Sequence, residues 1–132
     1  MPFYTISDMQ HSKGEANSSI DVHSIVGEFM KAAIMTEPEG EGPPLHEHPN
    51  EEQFTLILEG ELHFILGDED RVVGPGVIVH IPRNVPHRSR PVNGPATFFT
   101  VKCPPGDGRL DQDYRQAANA AAAEAKYPGT RG

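Results

Sequence analysis

At 132 residues and a formal net charge of −8, the chain has the length of a single domain that can bury a core without disulfides or metals to staple it. Eleven Lys plus Arg against nineteen Asp plus Glu leave no basis for a cationic nucleic-acid surface. The lone Cys103 cannot form an internal disulfide, no stretch approaches the ~20 apolar residues of a membrane span, and "MPFYTISDMQHSKGE" has neither region of a leader peptide, so a cytoplasmic protein with no membrane partner is expected.

In chain order, residues 1–20 are polar and weakly patterned, an N-terminal arm with at most an edge strand. "IDVHSIV" and "EFMKAAIMT" alternate or run apolar over strand lengths, and "EPEGEGPP" is a loop by its Pro and Gly. In "QFTLILEGELHFIL", Phe54, Leu56 and Leu58 share one face and Gln53, Thr55 and Ile57 the other. Glu59-Gly60 then reads as a turn into Leu62, Phe64 and Leu66, which makes the stretch a hairpin. "GDEDR" is a turn, "VVGPGVIVHIP" a turn and strand, "RNVP" a turn before "HRSRP", and "ATFFTVKC" the last strand. Seven or eight short strands, with thirteen Gly and thirteen Pro to turn between them, predict an all-β barrel or sandwich over 1–108. "LDQDYRQAANAAAAEAKYPG" differs in kind. Asp111 is placed as an N-cap, alanines follow, and Pro128-Gly129 stops the run, which predicts a short helical tail over 109–132.

The chemistry is concentrated in "HEHPNEEQ", residues 46–53. His46 and His48 are at i and i+2, which on a strand puts both imidazoles on one face, a typical beginning of a divalent transition-metal site. By the same alternation Glu47 faces solvent. The pair alone is weak, because His-x-His also occurs on ordinary surfaces. His87 opens a strand after "VP", where a turn delivers its side chain to a barrel mouth.

Gly40, His46, His48 and Gly60, followed by Gly76, Pro82 and His87, resemble in register the two signature motifs of the cupin superfamily. The likeness extends over about residues 20–103. Two positions depart from it: Asn84 stands for a glycine, which Asn replaces mildly because it tolerates the left-handed conformation, and Pro91 stands for an asparagine. The resemblance implies a double-stranded β-helix (jelly-roll barrel) holding one divalent transition metal, Fe, Ni, Mn or Zn, with His46, His48 and His87 as ligands. It also implies a fourth ligand from the first motif. Counting back from Gly60 gives Gln53, while the shorter spacer from His48 gives Glu52; strand parity favours Gln53 and leaves Glu52 as the alternative. Glu51 points the same way as Gln53 if the ladder starts that early. A glutamine would leave the metal more of its positive charge for polarising a carbonyl or a bound water. Some cupins with glutamine here resemble enzymes that open or linearise unsaturated uronates.

His63 and His80 lie in strands and are expected as ordinary strand histidines, with a proton shuttle as the sharper reading. Arg83, Arg88 and Arg90 flank His87, and Arg83 or Arg90 could grip a substrate carboxylate bidentately, although a solvated rim explains all three. Phe29, Met35 and Phe99 are candidates for an apolar pocket wall or plain core, and Cys103 for a buried, inert thiol. The expected function is a metal-dependent isomerase, lyase or dioxygenase on a small polar or carboxylate-bearing metabolite, in a homodimer. The alternative is a non-catalytic cupin that binds or senses a small ligand; no helix-turn-helix suggests a transcription regulator.

Overall fold

The computed structural model describes residues 2–13, 20–110 and 112–122. Among these, nine strands form: β1 Gln10–Lys13, β2 Asp21–Val26, β3 Lys31–Glu37, β4 His46–Glu47, β5 Glu52–Leu66, β6 Glu69–Val73, β7 Ile78–Ile81, β8 His87–Cys103 and β9 Arg115–Gln116. Every pairing is antiparallel. The order β1-β2-β3-β8-β4-β9 runs along one path, and β5 joins β6, β7 and β8. The N-terminal arm is therefore an edge strand, as its weak pattern predicts. No helix of the described residues is long and apolar enough to cross a membrane.

Period-2 burial explains how the sheet closes on itself. Along β5, Gln53, Thr55 and Ile57 are buried while Glu52, Phe54 and Leu58 are exposed. A larger apolar set thus faces out, joined across the register by Ile78 of β7, which pairs with Leu56. Ile57, Leu62, Phe64, Val73, Val79, Ile81, Ala96 and Phe98 make the main core, with Met35 and Leu66 packed on it. Truncating one of these fully buried side chains costs about 2–5 kcal/mol, the lost transfer energy plus the cavity left behind.

The hairpin expected over 53–66 does not form. β5 is one strand that bends, and it pairs with β8 on both sides of the bend, from Glu52↔Cys103 to Ile57↔Phe98 and from Glu61↔Val92 to Leu66↔His87. The register slips at Glu59, and β8 bends opposite it at Asn93 and Gly94, both at positive φ. Gly60 serves the corner in another way: at φ +80, an added Cβ would lie 2.3 Å from the Pro95 carbonyl oxygen. The glycine signals close backbone approach at a bulge, not a two-residue turn.

The expected short C-terminal helix is present, but it starts later than the sequence suggests. Residues 112–119 are not helical; β9 pairs with β4, with His46↔Gln116 and Glu47↔Arg115 in register, and a helical turn begins only at Ala120. The expected N-cap Asp111 and the alanine-rich continuation, with Pro128-Gly129, lie outside the described residues. Pairing of β9 with β4, plus Ala117 and Ala120 packed on Leu45 and Ile65, outweighs helix propensity in this segment.

Candidate metal centre

Ladder position and a backbone carbonyl aim each histidine. His46 and His48 sit in and just after β4, and His87 opens β8 directly opposite His46 in the ladder. Their ring centroids are 4.3–5.0 Å apart, and one nitrogen from each lies within 4.8 Å of the others. In every ring Nδ1 meets a backbone carbonyl: Pro44 for His46 at 2.7 Å, Val85 for His87 at 3.0 Å, and Asp113 for His48. A carbonyl only accepts, so each Nδ1 carries the proton and each Nε2 presents a lone pair. Backbone carbonyls that fix the tautomer in this way are typical partners of metal-ligating imidazoles.

Electrostatics keep all three rings uncharged. Burial holds His46 and His48 down to about 4, against the opposing hydrogen bonds from their carbonyl partners and with the charge of Lys102 adding to the depression. Burial, followed by the charge of His46, pushes His87 down to about 2. All three rings are neutral at neutral pH, the form in which imidazole binds a metal.

Of the three residues that compete for the fourth place, Glu52 points outward, exposed and hydrogen-bonded to His80 at 2.6 Å. Glu51 points inward but is held by Lys31 Nζ at 2.7 Å. Gln53 is buried, and its Nε2 donates to Thr55 Oγ1 at 3.0 Å and Thr100 Oγ1 at 2.7 Å. That leaves Gln53 Oε1 buried without a hydrogen-bond partner, which is costly in a protein interior unless something else coordinates it. Three neutral Nε2 donors and one orphaned amide oxygen, all on the inward face, fit a divalent transition metal. A second group with donor atoms within 4.8 Å, His48, Glu51 and Asp113, shares His48 with the first and is already engaged by Lys31 and by backbone N–H groups.

The triad opens into a cavity of about 880 Å³ whose wall includes Met35, Glu37, Phe98, Lys102 and Tyr114. Burial pushes the Glu37 carboxyl up to about 8 despite the nearby charge of Arg90, so it holds its proton at neutral pH. Tyr114 stacks on His46 at 4.9 Å between ring centroids.

Of the residues considered for the pocket wall, Met35 does line the cavity. Phe29 is 69% exposed on the turn between β2 and β3, and Arg83 is exposed on the turn before His87. Arg90 is buried beside Gly42 and near Glu37, behind the wall. Phe99 alternates outward, and its neighbour Phe98 faces the cavity in its place. His80 stacks on Phe54 on the outer face, His63 is buried with its Nε2 3.7 Å from Asp70, and Cys103 is exposed, not buried. Glu47 is only half-buried and pairs with Arg115 at 3.0 Å.

Sequence reasoning missed Asp113, Tyr114, Glu37 and Lys102. Asp113 holds the loop between His48 and β5 by accepting from the N–H groups of Asn50 at 2.7 Å and Glu51 at 2.8 Å. Burial raises its carboxyl, but the hydrogen bonds from Asn50 and Glu51 prevail and keep it below the usual range. The only hint was "DY" inside a stretch otherwise read as helix.

Residues 33–102 match the sequence profile of the Cupin domain family. No curated protein matches the chain by sequence. Among solved structures, KdgF from Halomonas sp. superposes with a TM-score of 0.71 at 17% identity, covering 84% of this chain and 96% of that one. An RmlC-like cupin with a double-stranded β-helix fold from Methanocaldococcus jannaschii gives 0.58 at 24%, over 72% and 89%. Oxalate decarboxylase from Bacillus subtilis gives 0.71 at 17%, over 96% of this chain and 36% of the other. At these identities the likeness is one of fold.

Proposed function

This chain belongs to the cupin family, and from that premise we propose that it is a metal-dependent enzyme acting on a small polar or carboxylate-bearing metabolite. His46, His48, Gln53 and His87 would hold one divalent transition metal. The carrying observation is the convergence of three Nε2 lone pairs whose Nδ1 protons are all fixed on backbone carbonyls. When bound, the metal supplies Lewis acidity, undamped by any negative ligand if Gln53 is the fourth. The protein groups then do the rest. Phe98 and Met35 exclude water from one wall, while Glu37 offers a proton from the neutral acid and Tyr114 fixes the plane of His46. Titratable groups on the wall of the metal-bearing cavity favour catalysis over simple ligand capture. The fold alone does not choose among isomerase, lyase and dioxygenase chemistry.

The test begins with metal content. The double variant His46→Ala, His48→Ala should lose its metal by elemental analysis and keep its β-sheet signature by circular dichroism; undiminished metal would sink the centre. Wild-type and double-variant protein should then be incubated with small carboxylates, unsaturated uronates included, and followed by NMR. Turnover by the wild type alone supports the enzyme reading, whereas tight binding without turnover would replace it with a ligand-binding role.

A further inference from the structure

The cavity continues past the metal centre to a buried acid outside the set of metal donors. Lys31, Ala33, Met35 and Glu37 alternate onto the inward face of β3, and their ladder partners Lys102, Thr100, Phe98 and Ala96 of β8 face the same way. Gln53 also pairs with Lys102, so the amide proposed for the metal stands at the Lys31 end of this face and Glu37 at the other. β3 has seven residues, which sets its two ends roughly 20 Å apart along the strand. Between them lie Ala33, whose small side chain leaves room, and the apolar Met35 and Phe98. Gln53, Met35, Phe98 and Glu37 all line the same cavity of about 880 Å³. Glu37 is 2% exposed, and its Oε1 has no hydrogen-bond partner among the described residues.

A buried oxygen left in that state costs free energy that a ligand group can recover. Desolvation keeps the carboxyl protonated at neutral pH, against the charge of Arg90 and with that of Glu41 in support. As a neutral acid it has one O–H to donate and a carbonyl oxygen to accept. An alcohol hydroxyl answers both at once. An ammonium would need the ionised form, which burial withholds even with Arg90 nearby, and a ligand carboxylate would meet the same desolvation that keeps Glu37 uncharged. We propose that Glu37 is a specificity-determining residue that recognises a hydroxyl group of the ligand, held apart from the metal-binding head by an apolar midsection lying against Met35 and Phe98. The inference rests on the reading of this cavity as the substrate site, and it narrows the substrate class to hydroxylated molecules with a polar group at each end.

Suitable probes are 6-hydroxyhexanoate, 8-hydroxyoctanoate and 10-hydroxydecanoate, each paired with the acid that lacks the terminal hydroxyl and titrated calorimetrically into protein loaded with Ni²⁺. At the chain length that fits, the hydroxyl should tighten binding by about fivefold or more, the range of one well-made hydrogen bond. Glu37→Leu should abolish that gain, while Glu37→Gln, which keeps a donor and an acceptor, should retain most of it. Metal content should be the same in all three proteins. Infrared difference spectra should show a protonated-carboxyl band of the wild type shifting when the hydroxy acid binds, with no such shift in Glu37→Gln, which supplies the readout if Glu37→Leu fails to fold. No gain from the hydroxyl at any length, an equal gain in Glu37→Leu, an unshifted carboxyl band, or a larger gain from the corresponding ω-amino acids would overturn the assignment. Each gain is a ratio within one protein, so a chain that takes up no metal weakens both members of a pair and leaves the ratio to be read. Absence of turnover likewise leaves the binding data untouched, so the metal and enzyme readings fail separately.

Discussion

At the scale of single residues, the choice of the proposed fourth ligand turns on side-chain direction. Glu52 and Gln53 are adjacent, so the strand points them to opposite faces, and the buried row Gln53, Thr55, Ile57 decides which is inside. Charge would favour Glu52 as a ligand, but geometry opposes it: its carboxylate is outside, on His80. Gln53→Ala should therefore lower metal affinity by roughly 10–100-fold, the range seen when groups around a metal are lost. Glu52→Ala should leave metal affinity within about twofold, since it touches only the surface. Competition with a chromogenic chelator reads both, and the reverse ranking would move the ligand to Glu52. That Gln53 faces inward and Glu52 outward was legible beforehand from strand parity. The polar residues behind it were not. Glu37 and Lys102 look like ordinary strand charges in one dimension, and only the closure of the sheet turns them inward.

At the scale of elements, the strands were legible where alternation is strong, as in β5, β7 and the second half of β8. Asn84 illustrates the success, since its predicted tolerance for the left-handed region is realised at φ 65. Where the structure departs from the pattern, at the Gly60 turn and at the start of the C-terminal helix, a distant partner overrides a local signal. Gly60 was read as a hairpin turn, but the backbone of Pro95 and Ala96 packs against it and keeps β5 running. The alanine-rich tail was read as helix from Asp111, but β9 adds to β4 and brings Asp113 and Tyr114 onto the histidines. A tail docked in this way should matter to the site. Asp113→Ala removes the acceptor for the exposed Asn50 N–H and the partly buried Glu51 N–H and should destabilise the protein by about 1 kcal/mol, mainly through the Glu51 donor. Its backbone carbonyl survives the substitution, so the His48 tautomer should persist and metal content should remain near that of wild type. Chemical denaturation and elemental analysis separate the two effects; full loss of metal would mean that the carboxylate itself is a ligand.

At the scale of the whole molecule, the barrel carries its polar burden off-centre. The apolar cluster around Ile57, Leu62 and Phe98 fills one part of the interior, while His46, His48, His87, Gln53, Lys31, Lys102 and Glu51 are buried together elsewhere. Such a region contributes less to stability than an apolar one of equal volume, because neutral rings and an orphaned amide oxygen give up water without full replacement. A metal that binds the folded chain and not the unfolded one offsets that cost by mass action. Free metal at 100 times its dissociation constant adds about 2.7 kcal/mol. For a domain of this size that is a rise in Tm of roughly 10 °C. Melting followed by circular dichroism, with the divalent metal present and then with excess chelator, should show this difference in the wild type. The His46→Ala, His48→Ala variant should melt at one temperature under both conditions. A similar metal-dependent rise in that variant would show that the stabilising ion sits elsewhere.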